Sequence, residues 1–570
     1  MDEGGARFGS FTEKYYVEFC FWYEGARKVW LSLGDTDFEW HDHEMISVEP
    51  NIWETKVGSA KPGMQYRYKV ELENGDSILV NDPYARQLTS STNGNSVIVD
   101  EKFDWGEQNF TPPARTRQII YEMHIGTFNQ PDDSTPGDFD SAIEKLPYLK
   151  DLGVNMIEIM PVTSMLDGQG WGYAPIHLFA VEEKYGGHYG LKKFVRAAHE
   201  AGMGVIVDIV YNHMHPNTDL PESYFFDGDL RNTDWGPRLN YTAPQVKRYL
   251  VDNIRLWIEE YRVDGMRLDF TLGVRSRRMD RDEVEDSIPG GWEILQKMTR
   301  VARSINRRAM MIAEDNGANT YLTKPISEQG AGFTAQWGVG FPRALRGAFG
   351  INEEQNLGDI SNELYRFYND DWRQKIVFSE SHDTAALANG NERLNDDFDI
   401  YDPLSRPSRQ KMLLAAGITL TAPGIPMLFQ GQESMQFAGF SALAPFNWRV
   451  AEHFGEVIAA HQHLIDLRLN KYGHTGGLAE SEIDIIHTDE DNKILAYTRG
   501  GCLVIANFGD KSFDNYEITT PFRGNLTARF NSSWNGYGED FTNKIFDSVK
   551  PDGNGKISVA LAEFTMVILS

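Results

Sequence analysis

Four apolar runs in this sequence close on residues able to move protons or hold charge. DIVYNH carries Asp208 and His213, GMRLDF carries Arg267 and Asp269, IAED carries Glu314 and Asp315, and ESHD carries His382 and Asp383. A carboxylate at one strand end is ordinarily a helix cap or an ion-pair partner. Carboxylates, histidines and an arginine at four strand ends together point to one shared site. Two carboxyl groups suit the cleavage of a glycosidic bond, in which one attacks the anomeric carbon and the other protonates the leaving oxygen. Retention of configuration requires them about 5 to 5.5 Å apart. Asp269 and Glu314 end consecutive runs, so adjacent strands could supply that spacing. Arg267 stands two residues before Asp269 and so shares its strand face, where a guanidinium would hold the nucleophile ionised and oriented. Glu314 must keep a proton at working pH, and the negative charges of Asp269 and Asp383 would raise its pKa in that direction.

These residues need a scaffold that brings strand ends together. From about Ile119 the chain alternates short β-rich runs with amphipathic helical stretches, the rhythm of βαβ units. The runs are IIYEMHIGTF, MIEIMPV, VIVDIVYNH, GMRLDF, MMIAED, FTAQWGVGF, IVFSESHD and GIPMLFQG. Between them, Val246, Leu250, Ile254, Trp257, Ile258 and Tyr261 form one helical apolar stripe, and Leu191, Phe194, Val195 and Ala198 form another that stops at Gly202. Eight strands with intervening helices predict an α/β domain, a (β/α)8 TIM barrel with its active site at the C-terminal strand ends, although a doubly wound sheet gives similar local signals. Alternating patterns such as Val29-Leu31-Leu33 and Tyr66-Tyr68-Val70 precede it, and ILAY, CLVIANF and TMVILS follow it. The expected domains are an N-terminal β-sandwich over 1–107, the barrel over 108–468 and a C-terminal all-β sandwich over 469–570.

Composition narrows the substrate. With 55 Lys+Arg against 83 Asp+Glu and no polybasic run, neither nucleic acid nor an anionic membrane gains from charge, and a neutral substrate is favoured. Cys20 and Cys502 lie far apart in apolar runs and read as buried thiols in a reducing compartment. The stretch Met1 to Thr12 lacks a basic segment followed by an apolar one, and no run approaches the roughly 18 apolar residues that span a bilayer. The expectation is a cytoplasmic protein.

DIVYNH, GMRLDF, IAED and ESHD resemble, in order, the four signature regions of glycoside hydrolase family 13, the α-amylase family. The resemblance implies Asp269 as nucleophile, Glu314 as general acid/base and Asp383 as the carboxylate that grips ring hydroxyls. It also implies Tyr173, in WGYAPIHLFAVEEKYG, as a platform under the sugar, His213 and His382 as partners of its hydroxyls, and Asp208 as a structural aspartate near Arg267. The first hundred residues resemble the family 48 carbohydrate-binding module. The expected partner is an α-1,4-glucan such as amylose, glycogen or a maltooligosaccharide. The versions AED and ESHD resemble the 1,4-α-glucan branching enzymes of glycogen and starch metabolism, transglycosylases that form α-1,6 branches. Those enzymes usually continue the nucleophile segment with Val or a Gly-rich turn, whereas Phe270-Thr271-Leu272 follows here. A hydrolase of the same family, an α-amylase or a maltooligosyltrehalose trehalohydrolase, stays open. The mark of a third class, a non-catalytic glucan-binding protein, would be a missing carboxylate.

Asn212 resembles the calcium-ligating asparagine of many α-amylases. The stretch from His213 to about Thr242 is short for a calcium-cradling subdomain, and the six to eight oxygen ligands of a hard cation cannot be assembled. No metal and no cofactor are expected. His124 reads as a core or supporting histidine, and Trp171, Trp292 and Trp337 read as either sugar platforms or core. Oligomeric state is not legible.

Overall fold

The computed structural model describes all residues except 1–6, 35–39, 91–93, 108, 133–134, 167–169 and 279–282. Eight parallel strands close into a barrel: β1 (Ile120–Met123), β2 (Met156–Ile159), β3 (Gly204–Val210), β4 (Gly265–Asp269), β5 (Met310–Ala313), β6 (Ala335–Trp337), β7 (Lys375–Val377) and β8 (Ile425–Phe429). Each of the eight apolar runs supplies one strand, and pairing of β8 with β1 removes the doubly wound alternative. The two-residue period sorts the side chains. Ile120, Met156, Ile206, Met310, Ile312, Trp337, Ile376, Ile425 and Met427 pack together inside the barrel. Their strand neighbours, including Tyr121, Ile157, Val207, Leu268 and Met311, pack outward into the core shared with the helices. Continuing the inward series toward the strand ends gives Glu122, Glu158, Asp208, Arg267, Asp269 and Glu314, so the sorting that fills the barrel also delivers the polar residues to its mouth.

The helices keep the expected faces. α1 (Gly187–Ala201) buries Leu191, Phe194, Val195 and Ala198 and ends on Gly202, whose φ of 86° lets its N–H bond back to Ala198 and His199. α2 (Pro244–Arg255) departs from the single stripe drawn in the sequence, because its continuation Leu256–Glu260 widens into a π-helical segment. There the Trp257 Nε1–H donates to Asn253 Oδ1 at 3.0 Å, and the same oxygen accepts from the Tyr211 hydroxyl at 2.7 Å. α3 (Gly291–Ile305) precedes β5.

Two antiparallel sheets precede the barrel. In one, Val17–Trp22 lies between Gly9–Thr12 and Ile52–Val57; in the other, Ala26–Gly34 pairs with Trp40–Glu44 and Gln65–Leu72. Val29, Leu31, Leu33, Tyr66, Tyr68 and Val70 fill their shared core. This unit is docked on the barrel: Arg86 Nε donates to Glu260 at 2.9 Å, Asn81 Nδ2 donates to Asp219 at 2.6 Å, and Tyr84 packs on Phe179. After the barrel, Ile494–Arg499, Cys502–Asn507 and Thr565–Leu569, the three expected strands, are consecutive in a six-stranded sheet. Cys20 and Cys502 are buried free thiols. Among the described residues no helix is long and apolar enough to cross a membrane.

Candidate active site

Arg267, fully buried, organises the mouth of the barrel. Its Nη1 donates to Asp208 at 2.6 Å and to Asp269 at 3.1 Å, and its Nη2 donates to Glu314 at 2.7 Å. Register explains the set, since Asp208 lies beside Arg267 across β3 and β4, and Glu314 immediately follows β5, the other neighbour of β4. One guanidinium thus holds both candidate reacting carboxylates. Glu314 also accepts the Phe270 N–H at 2.8 Å, which aims its second oxygen elsewhere. Phe270 is in the left-handed region, with φ 40° and ψ 60°, a conformation costly for a bulky residue and typical of functional sites. Thr271 Oγ1 donates to the Glu314 carbonyl at 2.8 Å, and Arg275 grips Asp315 through two bonds of 2.9 and 3.0 Å. Asp315 therefore fixes the turn and does not face the cleft.

Both carboxyl groups are pushed up in pKa. For Glu314 burial is the largest cause, Arg267 opposes it, Asp269 and Asp383 add to the rise, and the result is about 7. The sequence reading gave that rise to the neighbouring charges alone, whereas low dielectric leads here. Asp269 is raised less, to about 6, by burial against Arg267, so the guanidinium moderates the rise without holding the group at its ordinary value. The order suits a proton donor at 314 and a nucleophile at 269.

Tyr173 hydroxyl donates to Asp208, and its ring stacks on His382 with centroids 4.8 Å apart at 17°. His382 is clamped by Glu122, to which Nδ1 bonds at 2.6 Å and the backbone N–H at 3.1 Å, while Nε2 lies 3.4 Å from Asp383. Burial disfavours its charge, but Asp383 and Glu122 outweigh that and carry its pKa up to about 9. His382 is therefore an imidazolium at neutral pH. His213 is the opposite case, lowered to about 4 chiefly by burial. Asn212 Nδ2 donates to Asp269 Oδ2 at 2.7 Å, so its Oδ1 accepts Nδ1–H of His213 at 2.5 Å. Nε2 of His213 is then a bare acceptor, and it has no partner. Asp383 is 43 % exposed at the rim, with Asn389 Nδ2 donating to it at 3.2 Å.

These groups line a cavity of about 620 Å³ with Trp171, Tyr173, His213, Trp235, Phe270 and Asn389 among its walls. All eight residues singled out in the sequence meet here: Asp269, Glu314, Asp383, Tyr173, His213 and His382 on its walls, Arg267 and Asp208 just beneath. Four contributors were passed over. Glu122 sits two residues after Ile120 on an inward strand face, a pattern that marks it. Asn212 had been weighed only as a metal ligand. Trp235 is half-exposed and packs on His213 and Phe270, both at 5.6 Å. Glu158 lies in the barrel beside Glu122 in register, neither carboxyl oxygen of Glu158 has a partner, and burial drives its pKa well upward. His124 is a core histidine bonded to Thr127, Gly170 and Tyr185. Of the three tryptophans, Trp171 faces the cleft, Trp292 bonds to Gln329 away from it, and Trp337 is buried 4.3 Å under Arg267. Among the described residues no three His, Cys, Asp or Glu side chains are grouped to hold a metal ion.

The alpha amylase catalytic domain model matches residues 122–235 and 219–462, the alpha amylase C-terminal all-beta domain matches 485–570, and carbohydrate-binding module 48 (isoamylase N-terminal domain) matches 5–85. The chain is 28 % identical over 615 residues to the 1,4-alpha-glucan branching enzyme GlgB of Lactobacillus acidophilus, covering 98 % of this chain and 93 % of that protein. It is 29 % identical over 458 residues to the malto-oligosyltrehalose trehalohydrolase of Saccharolobus solfataricus, covering 75 % of each. Among solved structures, a pullulanase from Anoxybacillus sp. LM18-11 complexed with maltotetraose shares the fold with a TM-score of 0.78 at 20 % identity, covering 100 % of this chain and 88 % of that one.

Proposed function

Because the chain belongs to the α-amylase family, we propose that it is a retaining α-glucan-active enzyme working as a 1,4-α-glucan branching enzyme. The observation that carries the chemistry is the single Arg267 guanidinium bonded to both Asp269 and Glu314, which sets nucleophile and acid close together at one strand-end edge. Asp269 attacks the anomeric carbon while Glu314 passes its proton to the departing oxygen, leaving a glycosyl-enzyme. Glu314, now a carboxylate, takes the proton of an acceptor hydroxyl as that oxygen displaces Asp269. His382, as an imidazolium, donates to a sugar hydroxyl, and His213 Nε2 accepts from one. Asp383 receives further ring hydroxyls. Neither a metal nor a cofactor enters any step.

Two features support transfer to a sugar over transfer to water. The branching-enzyme relative aligns with nearly the whole chain, and the trehalohydrolase relative with three quarters of it. Trp235 and Phe270 put apolar ring surface at the cleft wall, which displaces water and offers a stacking face to an incoming glucosyl unit. Hydrolysis is the second reading, favoured by the slightly higher identity to the trehalohydrolase. Proton NMR of the product from amylose decides between them. Branching gives α-1,6 anomeric signals and an altered iodine stain with little new reducing end; reducing ends rising without α-1,6 signals mean a hydrolase.

A further inference from the structure

At the end of the barrel opposite the catalytic mouth lies a second cavity, of about 570 Å³. It is bounded by the segment before β1, the turn from α3 into β5, and the residues just ahead of β6 and β7. Arg115, Arg303, Arg307 and Arg308 line it, and no Asp or Glu does. Such a cluster runs against a chain whose net charge is −28. Arginines that are buried elsewhere are met by carboxylates, as Arg86 is by Glu101 and Glu260, or by backbone carbonyls, as Arg468 is by those of Leu420 and Ala422; here Arg115 is half-buried and Arg303, Arg307 and Arg308 are exposed around the rim. Among the described residues, none of these four makes an ion pair; the Arg115 guanidinium reaches only the Thr334 carbonyl, at 3.3 Å. Asp371, an acid that acts on Arg115, is already held by Arg373 at 2.7 and 3.0 Å. Burial lowers the pKa of Arg115 and of Arg303 without an acid that restores it. Four like charges converging on one concavity with no acid on its wall focus a positive potential there that draws in an anion.

A second observation concerns the wall. Gln118 is only 5 % exposed, its Nε2 donates to the Pro113 carbonyl at 3.1 Å, and its Oε1 has no partner although it is buried. An amide oxygen in that position lacks a donor such as a hydroxyl. Gln374 adds another amide at the same wall. Guanidinium groups match the oxygens of a phosphate, and several of them match a dianion better than a carboxylate. A cavity of that volume suits a small molecule.

We infer that this cleft binds a small phosphorylated sugar, its phosphate held by Arg303, Arg307 and Arg308 over Arg115 and its hydroxyls met by Gln118. The site is about a barrel length from the reacting carboxylates, so the inference does not depend on which acceptor the enzyme uses. Calorimetric titration of the full-length protein with glucose 6-phosphate, inorganic phosphate and glucose tests it. Glucose 6-phosphate should bind saturably and raise the melting temperature. The Arg303→Ala/Arg308→Ala variant, which removes no ion pair and should fold normally by circular dichroism, should bind it at least about tenfold more weakly, the scale of one lost charge-assisted hydrogen bond. Arg307→Glu should abolish binding. Inorganic phosphate should bind more weakly than the sugar phosphate, and the response to glucose should be the same in wild type and variants. Three results would overturn the inference: no saturable binding of glucose 6-phosphate, equal affinity in wild type and the double variant, or inorganic phosphate binding as tightly as the sugar phosphate.

Discussion

Replacing Glu122 by Gln removes a charge from behind the site while keeping a side chain that can accept from His382 Nδ1. In the wild type Glu122 grips His382 at 2.6 and 3.1 Å, and Asp383 stands 3.4 Å from the other ring nitrogen. Together they outweigh burial and the repulsion of Arg267, lifting the imidazole from 6.5 to about 9. That rise amounts to about 3 kcal/mol of preference for the charged ring. A raised histidine stabilises the fold in full below its unfolded value near 6.5, and the contribution is lost as pH climbs through 9. Glu122→Gln should therefore cost on the order of 2 to 3 kcal/mol at neutral pH and almost none of it through this ring above pH 9. The chemistry should follow, because a neutral ring with Nδ1–H directed at residue 122 has no proton on Nε2 to give a sugar hydroxyl. Glu314, raised only to about 7, sets the alkaline limb of kcat/KM in the wild type, so loss of the ring proton should show as a lower kcat/KM at pH 7 that recovers toward wild type near pH 5. The assay is a pH series of kcat/KM on a maltooligosaccharide with melting temperatures measured in the same buffers. A kcat/KM at pH 7 equal to wild type, together with a melting difference that does not shrink between pH 7 and 9.5, would refute the reasoning.

Asn212→Ala removes the 2.7 Å bond to Asp269 and the hold on His213; kcat should fall about tenfold to a hundredfold, the range for about 1 to 3 kcal/mol, with KM little changed, as steady-state kinetics will show. Treatment with a strong chelator should leave activity and melting temperature unaltered, because the Asn212 amide is engaged with Asp269; a loss that calcium alone reverses would contradict this. Deleting residues 1–107 should reduce solubility by uncovering the barrel surface around Phe179 and Glu260. If the unit also binds glucan, the ratio of kcat/KM on amylose to that on a short maltooligosaccharide should fall in the truncated enzyme, and an unchanged ratio leaves it as support only.

The strands were legible because each apolar run closes on a polar residue, and the closing residues are the site. Asp269 and Glu314 could be paired from their places on neighbouring strands, and Arg267 from its two-residue offset. What stayed hidden depends on contacts across the barrel. Glu122 meets His382 from 260 residues away, and no local pattern declares such a pair, although a carboxylate inside an apolar strand is a sign that one exists. Asn212 was visible but weighed only as a calcium ligand and set aside, since its neighbour Asp269 arrives from a different strand. Phe270 looked like a departure from the branching-enzyme pattern; its left-handed backbone and its N–H to Glu314 give it a positioning role that composition could not disclose. Trp235 reaches the cleft from the irregular stretch after β3, where periodicity carries no information. The arginine cleft escaped notice because Arg115 comes from the segment before β1 while Arg303, Arg307 and Arg308 come from the end of α3 and the turn into β5, a basic stretch that by itself reads as a solvated helix end.

The central claim is that Asp269 attacks and Glu314 supplies and recovers the proton. An α-maltosyl fluoride needs no proton for departure of its leaving group, so Glu314→Gln should complete the first step and stall at the second. Mass spectrometry of the digested variant after incubation should find one maltosyl unit on the peptide containing Asp269, and none in the Asp269→Asn/Glu314→Gln double variant. An adduct on another residue, or no adduct while the fluoride is still consumed, would contradict the account.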